Sequence, residues 1–313
     1  MALRQLNLGL NALGPAEVAA LAEAVQTNPW LEALDLGSNP IGPEGAASLC
    51  DALQANPASA LHSLGLDFTR VGPLGAARLG AYLSSRRCQL RELRLDGCAV
   101  GPAGAASLAR ALRGDEGTGL GRAVALRSLR LECNQLGDEG ARAIADGLSA
   151  SAGLRALYLG CNEIREGGAR ALGAGLALNA TLTVLDVSDN ELRAHGLRAL
   201  LEGVRAQQAL VGLDLASCRL GDDGCEALSR EIKRNETLRF VRLCSNDIGA
   251  AGGRALADAV EASGCADLLC DASRNSNMAY HDVVRLRLCN NTRAHAAGDN
   301  PLDGAKKADR YMS

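Results

Sequence analysis

Aromatic side chains are nearly missing from this chain. Of 313 residues, one is Trp, two are Phe and four are Tyr. A core built without them has to be filled by Leu, Ala, Val and Ile, which supply volume in small pieces. Long hydrophobic runs are missing too. Although 47% of the chain is hydrophobic, no apolar stretch reaches the roughly 18 residues that suggest a spanning helix. Neither sign of charge dominates. The net charge is −3 and the pI is near 5.9, where a nucleic-acid binder would show a basic stripe or domain. The opening residues MALRQLNLGLN lack the charged-then-apolar layout of a secretory signal. The four His (His62, His195, His281, His295) are scattered and there is no Cys-x-x-Cys, so the spacing of a zinc site is absent. A nucleophile needs a base within reach and a third group to orient it, and no His shares a strand position with a Ser or Cys. These absences predict a cytoplasmic, non-enzymatic chain with no membrane, nucleic acid, metal or cofactor.

What the sequence does have is a period. Leucines open successive copies of one pattern at Leu3, Leu31, Leu61, Leu90, Leu126, Leu154, Leu182, Leu210 and Leu238. The spacing is 28–30 residues except for one step of 36, and such a period points to a solenoid. Counting each opening Leu as offset 0, apolar residues recur at offsets 3 and 5 and a polar residue at offset 8. In the fifth copy these are Leu126, Leu129, Leu131 and Asn134. The alternation Leu129–Leu131 has the period of a short strand with one buried face. Asn at offset 8 can donate and accept, so stacked amides would satisfy the backbone where strand turns to helix. Asn11, Asn39, Asn134, Asn162, Asn190 and Asn246 fit this role, with Thr69, Cys98 and Cys218 in their place elsewhere.

A helix pattern follows in each copy. Gly140, Ile144 and Leu148 lie four apart on one face, as do Gly45, Leu49, Leu53 and Gly224, Leu228, Ile232. Gly inside a helix costs about 1 kcal/mol against Ala, so its recurrence implies close packing. The first copy has Glu17 there instead. A single βα unit cannot bury its own apolar face, and stacking solves this. Strands pack about 4.8 Å apart and helices about 8–10 Å apart. The expected fold is therefore an α/β, right-handed βα solenoid, curved with its parallel sheet concave and its helices convex. Residues 1–262 would hold about nine repeats, with an inserted loop near 113–125, a degenerate C-terminal repeat at 263–292 and a tail at 293–313. At the N-terminus no polar cap precedes the first copy, which predicts either an incomplete start or a partner over that edge. At the C-terminal end, Cys265, Leu268 and Cys270 read as a tenth strand at offsets 0, 3 and 5, and Val283–Asn291 as a final strand.

The pattern LxxLxLxxNxLGxxGxxxLAxxL resembles the ribonuclease-inhibitor-like class of leucine-rich repeats over residues 1–262. The copy NATLTVLDVSDNELRAHGLRALLEGV (Asn179–Val204) is similar to repeats at the C-terminal end of NOD-like receptors. The class also includes Ran GTPase-activating proteins and the capping domains of tropomodulins, which share a fold and not a function. The resemblance implies a horseshoe arc that binds proteins. It transfers no catalytic residue, because no catalytic fingerprint of the Ran activators can be placed here. The first reading is a non-catalytic protein-interaction scaffold, extending to a subunit of a cytoskeletal or ciliary assembly. The second is a GTPase-activating regulator similar to the Ran activators.

Offsets 2, 4 and 6 should face the concave surface. They nominate Glu92, Arg94, Asp96, Arg130, Glu132, Tyr158, Asp186, Asp214, Phe240 and Arg242 as exposed protein-binding residues. Trp30, just before the second strand, is expected to cover the edge of the first rungs and is a candidate end contact. Of the eleven cysteines, Cys50 and Cys225 fall in helices. Cys133 and Cys161 share offset 7 on neighbouring rungs, where a reducing compartment would keep them as thiols.

Overall fold

The computed structural model describes residues 2–114, 125–263, 268–279, 281–282 and 286. The chain divides into two compact units, Met1–Asn162 and Glu163–Ser313. In the first, strands and helices alternate: Gln5–Asn7 (β1), Pro15–Thr27 (α1), Ala33–Asp35 (β2), Gly42–Ala55 (α2), Ser63–Gly65 (β3), Gly72–Leu83 (α3), Glu92–Arg94 (β4), Gly101–Arg113 (α4), Ser128–Arg130 (β5), Gly137–Ala150 (α5) and Ala156–Tyr158 (β6). The second continues with Glu166–Leu178 (α6), Val184–Asp186 (β7), Arg193–Ala206 (α7), Gly212–Asp214 (β8), Gly221–Ile232 (α8), Phe240–Arg242 (β9), Ala250–Ala262 (α9) and Leu269–Asp271 (β10). Within each unit every strand pairs in parallel with the next in chain order. This is the βα solenoid expected from the period.

The core is the leucine grammar made solid. From the second rung to the ninth, the residues at offsets 0, 3 and 5 are buried; in the fifth they are Leu126, Leu129 and Leu131. The first rung differs, with Leu3 56% exposed. Helical glycines stand where a Cβ has no room. At Gly140 it would lie 2.8 Å from Leu136 Cβ, and at Gly203 of α7 it would lie 2.0 Å from the Gly173 carbonyl oxygen of α6. Glu17, in the position that is Gly elsewhere, is exposed and instead accepts the Gly14 N–H at 2.9 Å to cap α1.

The offset-8 amides form the expected ladder. Asn134 Oδ1 accepts the N–H groups of Cys98 (3.1 Å) and Val100 (3.0 Å), and its Nδ2 donates to the Leu95 carbonyl at 2.8 Å. From Asn39 onward these amides serve the rung before their own. A second amide set, unanticipated from the sequence, closes the helix-to-strand turns. Asn56 donates to the carbonyls of Val25 and Asn28 (both 2.8 Å), and Gln207 donates to Leu182 O at 2.8 Å.

The C-terminal register is corrected. β10 pairs with β9 so that Cys270 faces Val241, which puts Cys270 at offset 3 and not 5. A slip of two residues leaves the same side chains on the buried face, so apolar pattern alone cannot detect it. The true register places Asn275 at offset 8, where its Oδ1 accepts Asn246 N–H at 2.7 Å. Within Val283–Asn291 only Leu286 is described, and it is helical and buried rather than extended. Most of the inserted loop and all of the 293–313 tail lie outside the described residues.

Candidate functional site

Each strand is only three residues long, so its exit is a tight turn. The residue at offset 7 adopts a left-handed backbone in rung after rung: Leu10 (φ 62°), Ser38 (58°), Phe68 (57°), Cys133 (54°), Cys161 (54°) and Asp189 (52°). Fixed turns at both ends hold the strand side chains in register, one above another.

In the first unit the charges of the sheet face consume one another. Arg94 Nε donates to Asp67 Oδ2 and its Nη2 to Asp35 Oδ2, both at 2.8 Å. Asp35 lies two strands away, and Gly65 stands between them in register. A Cβ at Gly65 would lie 2.5 Å from Arg94 Nη2, so the missing side chain is the passage through which Arg94 reaches Asp35. Burial works against the Arg94 cation, but Asp67 and Asp35 outweigh it and raise its pKa. One rung on, Arg130 pairs with Asp96 and Glu132, both at 2.8 Å, and its guanidinium sits 4.8 Å from the centre of the Tyr158 ring. Burial again opposes the Arg130 cation, and the Asp96 and Glu132 charges overcome it.

In the second unit one register row carries Asp186, Asp214, Arg242 and Asp271. Arg242 pairs with Asp214. Asp186 Oδ1 accepts from the Ser188 N–H (2.8 Å) and hydroxyl (2.6 Å). Burial, then the neighbouring Asp214 charge, push its carboxyl up to about 7. A shallow groove of about 460 Å³ in this unit is lined by Arg165, Glu191 and His195, and Glu191 is engaged by Arg165 and Arg219.

The sequence expected all ten sheet residues to be exposed. Seven are not: Asp96, Arg130, Tyr158, Asp186, Asp214, Phe240 and Arg242 are each at most 8% exposed. In-register strands about 4.8 Å apart set large side chains shoulder to shoulder, so each is covered by its neighbours. Glu92, Arg94 and Glu132 are half-buried. Trp30 stands 57% exposed.

The sequence reading missed the rim. At offset 1, just before the strand, three consecutive rungs carry Arg91, Arg127 and Arg155. Arg127 N–H donates to Arg91 O at 2.7 Å, and Arg155 N–H to Arg127 O at 2.8 Å, which fixes the three in one column. Arg91 and Arg127 are exposed, and neither side chain has an acidic partner among the described residues. Arg4, Arg94 and Arg130 of this unit are by contrast each paired with an acid. The signal was legible as the repeated Leu-Arg of LRELRL, LRSLRL and LRALYL. It falls at an odd offset, outside the even offsets whose side chains point from the sheet face.

Among the described residues, no group of three or more His, Cys, Asp or Glu is arranged to hold a metal ion. Nor is any helix long and apolar enough to cross a membrane.

A sequence model of the leucine-rich repeat matches residues 27–50, 88–109, 125–145, 178–201, 210–229 and 234–257. These six segments are leucine-rich repeats. A chain of the yeast Rad7–Elc1 complex aligns with a TM-score of 0.52 and 17% identity, over 93% of this chain and 74% of that one. That likeness is one of fold alone. The tropomodulin C-terminal domain of Caenorhabditis elegans aligns over 59% of this chain and 97% of its own (TM-score 0.39, 20% identity). Actin-binding site 2 of leiomodin-1 aligns over 46% and 80% (TM-score 0.37, 14% identity). No curated protein sequence matches the chain.

Proposed function

We propose that this leucine-rich-repeat protein is a non-catalytic scaffold that docks an acidic segment of a partner protein. The observation that carries the reading is the pair Arg91 and Arg127, exposed on neighbouring rungs with no acid among the described residues to balance them. Like charges set opposite one another in a sheet are destabilising. Elsewhere on this unit's face Arg94 and Arg130 also stand opposite one another, but Asp35 and Asp67 balance the first and Asp96 and Glu132 the second. A rim that keeps the cost is suited to a ligand that supplies the missing carboxylates, and Arg is enriched where partners bind. Of the ten sheet residues nominated from the sequence, we assign direct contact to the half-buried Glu92, Arg94 and Glu132. Asp96, Arg130, Tyr158, Asp186, Asp214, Phe240 and Arg242 would act from beneath, by fixing the surface. The exposed Trp30 is a second contact point.

The full-length helices and the 28-residue period support the ribonuclease-inhibitor-like class for these repeats. A cytoplasmic place in a cytoskeletal or ciliary assembly rests on the sequence reading alone. The test is charge reversal. Arg91→Glu with Arg127→Glu, both exposed, should leave the circular-dichroism spectrum and melting point unchanged and lose the partners that cross-link to wild type. Cross-linking to the same partners at the same sites would defeat the proposal. The competing GTPase-activating role is checked with purified small GTPases, whose GTP hydrolysis should not accelerate when the protein is added.

A further inference from the structure

The left-handed turn column presents one residue per rung to solvent, and on two neighbouring rungs that residue is Cys. Cys133 and Cys161 share the same backbone geometry, each with φ 54°, and Cys133 N–H donates to Gly160 O at 3.0 Å. Adjacent rungs stand about 4.8 Å apart, inside the range of about 4.4–6.8 Å between Cα atoms that a disulfide spans. The two thiols neighbour each other closely enough to interact. They are also the two exposed cysteines among those described, since Cys50, Cys88, Cys98, Cys218, Cys225 and Cys270 are buried and Cys244 is half-buried. Burial pushes the Cys50 and Cys225 thiols up to about 12, which leaves them protonated and unreactive.

We propose that Cys133 and Cys161 form an oxidisable dithiol, closed to a disulfide by hydroperoxides and reopened by thiol reductants. Partial burial of its sulfur and the neighbouring Cys161 thiol push the Cys133 thiol up to about 12, which suits Cys133 to the second, resolving step. Cys161 sulfur attacks the peroxide and gives up its proton. An S–O bond forms, the O–O bond breaks, and the departing oxygen takes a proton to leave as water or an alcohol. Cys133 sulfur then attacks the Cys161 sulfenic acid. The S–S bond forms, the S–O bond breaks, and the hydroxide leaves with the Cys133 proton as water. Two electrons pass from the sulfurs to the peroxide. The product staples the turn of the fifth rung to that of the sixth, beside Glu132.

The test uses the intact protein and its Cys133→Ser and Cys161→Ser variants. Ser occupies the same turn position at Ser38, Ser217 and Ser245 with φ between 54° and 58°, so both variants should fold. After hydrogen peroxide, wild type should lose about 2 Da and yield a Cys133–Cys161 cross-linked peptide that a dithiol reductant reverses. Either Ser variant should abolish the cross-link, and Cys133→Ser should trap a sulfenic acid on Cys161. Phenylarsine oxide, which needs two thiols within reach, should be captured by wild type at one equivalent and by neither variant. Independent oxidation of each Cys with no cross-link, or failure of wild type to capture the arsenical, would overturn the proposal.

Discussion

Gly65 shows how much one absent side chain does. It lets Arg94 bridge to Asp35 across an intervening strand, so a carboxylate on the second rung is balanced by a cation on the fourth. Gly65→Val should expel the guanidinium and cost about 1–3 kcal/mol, read as a fall in the denaturation midpoint. Arg130 is more deeply committed, between Asp96, Glu132 and the Tyr158 ring. Removing one member of a buried pair leaves the other uncompensated, so Arg130→Ala should cost about 3–5 kcal/mol. Asp186 behaves oppositely. Its carboxyl is pushed up to about 7, while in the unfolded chain it titrates near 3.8. Between those values the folded state holds the extra proton. The stability this supplies is present below about pH 4 and lost as pH rises through 7. Asp186→Asn keeps the Oδ1 acceptor for Ser188 and carries no charge. It should raise the unfolding free energy at pH 8.5 by on the order of 4 kcal/mol, and flatten its pH dependence between 4 and 7. An unchanged slope would assign the titration elsewhere.

At the scale of the element, three-residue strands hold their place because amide ladders hold the turns at either end. Asn134 alone satisfies two amides and a carbonyl of the preceding rung. Asn134→Ala should cost about 2–4 kcal/mol and speed amide exchange at Cys98 and Val100 before other positions. Much of this was legible in the sequence: Leu at offsets 0, 3 and 5, Asn at 8 and Gly in the helix are each forced by a steric or hydrogen-bonding need that recurs at a fixed spacing. The register of β10 was not, because an apolar pattern of period two is blind to a slip of two. Only Asn275 carried the information. Nor was the burial of Tyr158 and Phe240 legible. Which face a strand residue takes follows from its offset, but how far neighbours cover it depends on the sizes of side chains on the rungs above and below.

For the whole molecule, the two compact units follow from contacts that run mostly between neighbouring repeats. In such arrays stability is a sum of local and nearest-neighbour terms. Leu64 is fully buried in β3, and Leu64→Ala should cost about 2–5 kcal/mol. Hydrogen exchange should show the loss concentrated in β2–β4 and their helices, with α8–β10 far less affected. Uniform loss of protection would mean that the chain unfolds as one block.

The amide ladder also has a direction. Asn39 serves the backbone of the first rung, Asn134 that of the fourth, Asn162 that of the fifth and Asn275 that of the ninth. Each of these repeats is thus finished by its successor, whereas at the third rung the Thr69 hydroxyl donates to Leu66 O of its own rung. Damage at one rung strands the polar groups of the rung before it and leaves the rung after it supplied. Lesions in this protein should therefore spread toward the N-terminus, and a rung is only as sound as the one that follows it.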